Sequence, residues 1–369
     1  MADGGQSDRL SDLPDSILHH IFSFIDTRYA VRASVLSSRW RHLWKSLSYL
    51  YFDWETKQPK KIAATADLVN MVLSFRDRES DIQCFRLQSV SSKNFRLVYS
   101  WILNAIRHNV RVIDIDYEYV SHPIEWPHSL FSYNSLTTLK LSSIYQLFVL
   151  PDSISLPNLK VLHLEDVDFA DIKTGSCVSN LITSCPSLEA LEVSCMNLGF
   201  GDKFVISAPK LERLVIYDNV KPFMKEMKKF EMKICAPNLR TFRCKDRILN
   251  EYSMGELRFL DSASIDMVMV KGCYIEPFKI LDNLLKDKKW EYVQHLAGLL
   301  KAVCGAKSLC LKLSALLIVV CVCLSWIECT RFLISTLSVI SIGASVAFSL
   351  FIQPSLIIDL LKRMQLPVN

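Results

Sequence analysis

Leu136-Thr137-Thr138-Leu139-Lys140-Leu141 is the stretch from which the fold of this 369-residue chain can be read, because its template, L-x-x-L-x-L, returns downstream. The further copies are Leu159-Lys160-Val161-Leu162-His163-Leu164, Leu188-Glu189-Ala190-Leu191-Glu192-Val193, Leu211-Glu212-Arg213-Leu214-Val215-Ile216 and Leu239-Arg240-Thr241-Phe242-Arg243-Cys244. Their starts lie 23, 29, 23 and 28 residues apart. Self-similarity at such periods marks a solenoid, in which each unit supplies a short strand whose alternating apolar residues are buried only by stacking on neighbours. Pro157, Pro186, Pro209 and Pro237 each stand two residues ahead of a copy. Val110 to Ile115 reads as an earlier, degenerate copy and Lys307 to Leu313 as a later one.

On this register the leucines point into a shared core, and the residues between them line the other face of the strands. Those positions are Thr138, Lys140 and Ser142, then Val161, His163 and Glu165, then Ala190, Glu192 and Ser194, then Arg213, Val215 and Tyr217, then Thr241, Arg243 and Lys245. Extended concave faces are what solenoids use for binding. The candidate recruiting surface is therefore Lys140, His163, Glu165, Glu192, Arg213, Tyr217, Arg243 and Lys245. The spacing falls in the range of leucine-rich repeats, which are expected over residues 110–312.

Upstream, residues 51–109 read as a mixed connector, with helical character from Ala63 to Phe75 and a strand from Ile82 to Val90. Before it, Leu13-Pro14 opens an amphipathic segment in which Ile17, Leu18, Ile21, Phe22 and Ile25 fall on one helical face. A second short helix is expected to start at Thr27 as N-cap and to bury Ala30, Val31 and Val35. A third, capped by Ser37, would carry Trp40, Leu43, Trp44 and Leu47 at helical spacing. So short a three-helix module cannot bury that many large apolar side chains by itself, and part of its surface is expected to be offered to another protein.

The run from Asp8 to Ile25, followed by Ala30 to Trp44, resembles an F-box in the form common in the plant F-box/leucine-rich-repeat (FBD-like) family. The resemblance implies that residues 7–50 dock on the Skp-type adaptor of a cullin-RING (SCF-type) ubiquitin ligase, while the repeats select the protein to be ubiquitinated. Carried over position by position, the adaptor-binding residues would be Leu13, Pro14, Ile17, Leu18, Ile21, Val31, Leu36 and Trp40. The chain departs from the family at Ile25-Asp26, where a Leu-Pro pair is usual; Asp can initiate the next turn as Pro would. The resemblance also implies that the connector packs the F-box onto the first repeat, and that Phe278 to Val303 precedes a closing repeat. It stops near Ala315.

Composition narrows the function. The 43 basic and 38 acidic residues are spread along the chain and sum to +5, which is no nucleic-acid footprint. The polar N-terminus lacks a secretory signal, so the folded part is expected in the cytoplasm or nucleus. Twelve cysteines are scattered without a C-x-x-C pair and read as small buried hydrophobes, so no metal and no cofactor are expected. Phosphate-loop, dinucleotide, zincin and nucleophile-elbow motifs do not occur, and no catalytic residue is assigned.

Past Lys312 the chain changes character. Leu313 to Ile327 carries no charge, and Phe332 to Ile358 is a further 27 residues without one, long enough to span a bilayer as a helix. Lys312 and the Lys362-Arg363 pair flank this tail. The expected architecture is thus α+β: a three-helix F-box over 7–50, a connector over 51–109, a leucine-rich-repeat α/β solenoid over 110–312 and a hydrophobic helical tail over 313–361. The expected function is a non-catalytic substrate-recognition subunit of an SCF-type ligase. The alternative is a membrane-anchored or truncated F-box protein that serves as a tether or competitor without ligase activity.

Overall fold

Each copy of L-x-x-L-x-L becomes one strand of a parallel sheet, and the template proves broader than its leucines. The computed structural model describes residues 12–54, 59–90, 94–118, 124–169, 177–194, 203–217, 231–247, 251–255, 257–268, 290–312 and 349–352. The chain divides into two compact units, Met1–Ala170 and Asp171–Asn369.

The first unit begins with α1 (Asp15–Phe22), α2 (Thr27–Ala33) and a 3-10 turn at Leu43–Ser46. There follow β1 (Tyr49–Asp53), α3 (Pro59–Ser74), β2 (Cys84–Val90), α4 (Phe95–Arg107), β3 (Val112–Tyr117), β4 (Ile124–Glu125), β5 (Thr138–Val149) and β6 (Val161–Phe169). Strands β1, β2, β3, β5 and β6 lie side by side, all parallel. Their register sets Leu50, Phe85, Ile113, Leu139 and Leu162 in one row and Phe52, Leu87, Ile115, Leu141 and Leu164 in the next, every one of them buried. The residues read as a connector therefore supply two further copies, Leu47-x-x-Leu50-x-Phe52 and Ile82-x-x-Phe85-x-Leu87, with α3 and α4 as their crossovers. Helix α4 ends in a Schellman motif: Asn109 takes a left-handed φ of 54°, its N–H reaches Ile106 O at 3.1 Å, and Val110 N–H reaches Ala105 O at 3.2 Å. That reversal aims the chain into β3.

The second unit contains α5 (Cys177–Thr183), β7 (Ala190–Ser194), β8 (Lys203–Ser207), β9 (Arg213–Tyr217), β10 (Glu231–Cys235), β11 (Thr241–Arg247), β12 (Glu251–Met254), β13 (Ser262–Val268), α6 (Trp290–Val303), β14 (Ser308–Lys312) and β15 (Ser349–Ile352). Strands β7, β9, β11, β13 and β14 form the repeat sheet. One buried row is Leu191, Leu214, Phe242, Ala263 and Leu309; the next is Val193, Ile216, Cys244, Ile265 and Leu311. Leu260-x-x-Ala263-x-Ile265 is thus a copy as well. A second, three-stranded sheet, β12-β10-β8, is built from strands that lie in the chain between successive repeat strands. Ser179 on α5 accepts the Val205 N–H of β8 at 3.1 Å, and α6 packs beside β12, so both margins of this small sheet are flanked by helix.

The recurrent prolines have a structural reason. The N–H of Leu159 bonds Leu156 O (3.2 Å), and Leu188, Leu211 and Leu239 do the same to Cys185, Ala208 and Ala236. Each proline sits at the second position of such a turn, where its fixed φ is already correct. Asn158 and Asn238 then brace the turns, donating to Asn134 O (2.9 Å) and Pro209 O (2.8 Å) respectively.

Four expectations require correction. The cap of α2 is Asp26, whose carboxylate accepts the Arg28 N–H at 2.6 Å, and Thr27, expected in that place, is the first helical residue. The third helix is one 3-10 turn, Leu43–Ser46: Trp40, Leu43 and Lys45 donate to residues three back, while the Trp44 indole and the Ser46 hydroxyl engage the carbonyls of Arg41 and Leu43. Val35 is 85% exposed rather than buried, because α2 stops at Ala33. Ser349–Ile352, inside the uncharged run expected as a spanning helix, is a strand paired antiparallel to β14. That pairing covers an edge whose N–H and C=O groups would otherwise need water or another chain. The remainder of 313–361 lies outside the described residues, among which no helix is long and apolar enough to cross a membrane.

Candidate functional site

The first surface lies on the N-terminal helices, where the apolar stripe of α1 splits between core and solvent. Leu18 and Phe22 are buried, whereas Ile17 and Ile21 are exposed. Phe24 (74% exposed), Tyr29, Val35 and Leu36 (74%) extend the exposed apolar set. Among the other sequence-assigned residues, Pro14 is exposed, Leu13 and Val31 are half-buried, and Trp40 is half-buried with its ring edge-on to Phe22 at 5.8 Å. Leu18, at 1% exposure, supports this surface from beneath and is not part of it. Sequence reading missed Phe24 and Tyr29 and gave Val35 to the core. The available signal was the shortness of α2, which leaves Val35-Leu36 outside any helix.

Polar contacts hold this surface in shape. Asp15, in the first turn of α1 where a carboxylate suits the helix dipole, pairs with Arg39 at 2.6 Å. That contact ties the Ser37–Trp40 turn to α1. The His19 ring lies 3.2 Å from the Ser46 hydroxyl and links α1 to the 3-10 turn.

The second candidate surface is the outward face of the repeat strands. In the first unit one row is Tyr51, Arg86, Asp114, Lys140 and His163, and its neighbour includes Asp116, Ser142 and Glu165. Lys140, His163 and Glu165 thus stand together on adjacent rows, with His163 3.5 Å from Glu165. Arg86 bridges the row: it pairs with Asp114 at 3.4 Å and lies over the Tyr51 ring at 5.2 Å. The Tyr51 hydroxyl donates to Gln88 at 2.8 Å, and burial together with the Asp53 charge pushes its pKa up to about 12. Burial likewise raises the Asp116 carboxyl, although the Ser89 N–H donates to it at 3.2 Å. Sequence reading missed Tyr51, Arg86, Asp114 and Asp116. The first two ride on copies whose phenylalanines disguise the template.

In the second unit Arg213, Arg243 and Lys245 are exposed, and Glu192 and Tyr217 are half-buried. Register places Arg243 beside Val215, which is opposite Glu192, and Lys245 beside Tyr217. Arg213 reaches Glu192 at 4.0 Å. Val215, on the same outward row, is 0% exposed and belongs to the floor rather than the face. Behind β11 the Tyr252 hydroxyl donates to Asp246 and stands 3.3 Å from the Cys244 sulfur. Burial pushes both the phenol and the thiol well above their usual ranges. This thiol is held neutral and enclosed, which makes it a packing group and a poor nucleophile.

Two family models match segments of the chain. Residues 10–51 match the F-box domain model, and residues 98–202 match a model for the leucine-rich repeats of the FBD-associated F-box protein At5g56370. The chain is 35% identical over 218 residues to the F-box/LRR-repeat protein At3g26922 of Arabidopsis thaliana, an alignment covering 58% of this chain and 69% of that protein. It is 29% identical over 324 residues to the F-box/LRR-repeat protein At3g59210, with 85% of this chain and 64% of that protein covered. To the F-box/FBD/LRR-repeat protein At1g78750, both from the same organism, it is 29% identical over 277 residues, covering 72% of this chain and 58% of that protein.

Proposed function

Because the chain belongs to the F-box/LRR-repeat family, we propose that it is a substrate receptor of an SCF-type cullin-RING ubiquitin ligase, docking through its N-terminal helices and recruiting a target protein on the outward faces of its repeat strands. The observation that carries this reading is the exposure of Ile17, Ile21, Phe24, Val35 and Leu36 within one short module. Exposed apolar side chains gathered this way mark a protein-binding surface, and burying them on an adaptor removes their contact with water. Leu13, Pro14, Val31 and Trp40 frame the same surface. The transfer chemistry belongs to other subunits, and this chain acts by holding target and ligase together.

The recruiting role falls to Lys140, His163 and Glu165 in the first unit and to Glu192, Arg213, Tyr217, Arg243 and Lys245 in the second. Tyr51, Arg86 and Asp114 extend the first face. Its paired charges are pre-oriented, which favours a partner that reads fixed polar geometry. The test is binding of the purified full chain to a Skp-type adaptor. Val35→Asp is expected to remove binding while leaving the melting temperature unchanged, since the side chain is 85% exposed. Wild-type affinity in Val35→Asp would sink the assignment of this surface.

A further inference from the structure

Within the first unit, the docking helices and the repeat sheet meet at the outer edge of β1, which pairs with β2 on its other side. Edge N–H and C=O groups need partners. Three consecutive residues at the start of α2 supply them. Asp26 Oδ2 accepts from the Asp53 N–H at 3.0 Å, and Thr27 Oγ1 accepts from the Tyr51 N–H at 2.9 Å. The Arg28 guanidinium donates to the Asp53 carbonyl at 3.1 Å and to the Thr65 hydroxyl of α3 at 3.0 Å. The other oxygen of Asp26 accepts from the Arg28 N–H at 2.6 Å and so caps α2 with the same carboxylate. Asp26, Thr27 and Thr65 are all buried, where hydrogen bonds are strong and their loss is costly.

We propose that Asp26 is a positioning residue for ubiquitin transfer: by capping α2 and holding the edge of β1 with one carboxylate, it fixes the adaptor-facing helices at a set angle to the sheet face that holds the target. This rests on the receptor function above. Transfer by proximity depends on where the held protein is presented, and a loose joint spreads that presentation over many positions. Thr27 and Arg28 complete the joint. The position is also the one where the chain departs from the Leu-Pro pair its family usually carries; a proline there would have no side-chain acceptor for either N–H.

Asparagine separates the two roles of this carboxylate. Asn caps a helix about as well as Asp, so Asp26→Asn keeps an acceptor for the Arg28 N–H. Its amide nitrogen then meets the Asp53 N–H donor to donor, and the tie to β1 is broken. Arg28→Met breaks the joint independently and leaves the cap intact.

The experiment uses the full chain, wild type, Asp26→Asn and Arg28→Met, with distance labels at Arg41 and Arg111, both exposed. Both variants are expected to bind the adaptor within twofold of wild type. Amide exchange at Asp53 should quicken at least tenfold in Asp26→Asn, and the interlabel distance distribution should broaden in both variants. In a reconstituted ligase, with the chain's own lysines as acceptors, ubiquitin should spread in both variants to first-unit lysines that the wild type leaves unmodified. An unchanged distance distribution, or a broadened one with an unchanged lysine pattern, overturns the proposal. Absence of adaptor binding by the wild type overturns the receptor reading instead, while the label measurement still decides whether Asp26 sets the joint.

Discussion

Leu18 and Leu36 have the same side chain and lie in the same module, but one is buried and the other exposed, so replacing each by Ala separates the core from the proposed docking surface. Leu18 is 1% exposed, and a buried Leu→Ala change costs about 2–5 kcal/mol through lost transfer energy and the cavity left behind. For a unit of this size each kcal/mol moves the melting temperature by ~2–4 °C, so about 3 kcal/mol predicts a drop of ~6–12 °C. Leu36 is 74% exposed, leaving about a quarter of its surface in contact with the chain, worth roughly 0.5 kcal/mol and ~1–2 °C. Binding should reverse the order. An apolar anchor at an interface contributes about 2 kcal/mol on truncation, so Leu36→Ala should weaken the adaptor by ~30-fold, while Leu18→Ala, assayed well below its midpoint, stays within ~3-fold. Calorimetry and titration of purified adaptor measure the two quantities on the same samples. Equal melting losses would refute the burial argument, and wild-type affinity in Leu36→Ala would refute the docking argument.

Two other outcomes follow from the same geometry. Leu162→Asp places a charge in the fully buried row of β6 and should unfold the first unit, whereas His163→Ala on the outward face should leave its urea midpoint within ~0.3 M; similar midpoints would invalidate the register. His108 donates toward the Ser80 carbonyl at 3.2 Å, and burial and the nearby Arg76 lower its pKa against the opposing pull of Asp81. Its fold therefore favours the neutral ring, and its contribution to stability is present above the usual value of ~6.5 and lost as pH falls through the lowered one. His108→Asn, which keeps a donor but does not titrate, should flatten the stability loss below pH ~6.5; an unchanged pH profile would show that this ring is not responsible.

The repeats were legible where leucine fills the template and obscure where another apolar residue does. What the core requires at each position is apolar volume in a stacked row, which Leu50, Phe85, Ile113 and Ala263 all provide. A search for leucines therefore finds β5, β6, β7 and β9 and passes over β1, β2 and β13. The N-terminal helices were obscure for a different reason. Its helical spacing was read correctly at Leu18 and Phe22, but periodicity cannot say which side of an apolar stripe faces the protein. Ile17 and Ile21 are outward only because α1 packs one flank inward. Tertiary packing made that choice, as it made Trp40 lean on Phe22.

Sheet edges explain both features that the pattern of repeats left unaccounted for. A parallel repeat sheet carries unpaired backbone groups at its margin, and these must be covered or they become templates for another chain. In the first unit the covering comes from Asp26, Thr27 and Arg28, so the residue that looked like a departure from the family at a turn is an acceptor that β1 needs. Pro could have begun α2 equally well but would have left the Asp53 N–H without that bond. In the second unit β15 lies along β14, and a stretch of the tail that reads as membrane-seeking from its lack of charge has the Ser-Leu-Phe-Ile sequence of an edge strand. Hydropathy alone could not separate these outcomes for Ser349–Ile352, because a strand that closes a repeat sheet and a segment that enters lipid both need apolar side chains; the available β14 backbone decides between them here.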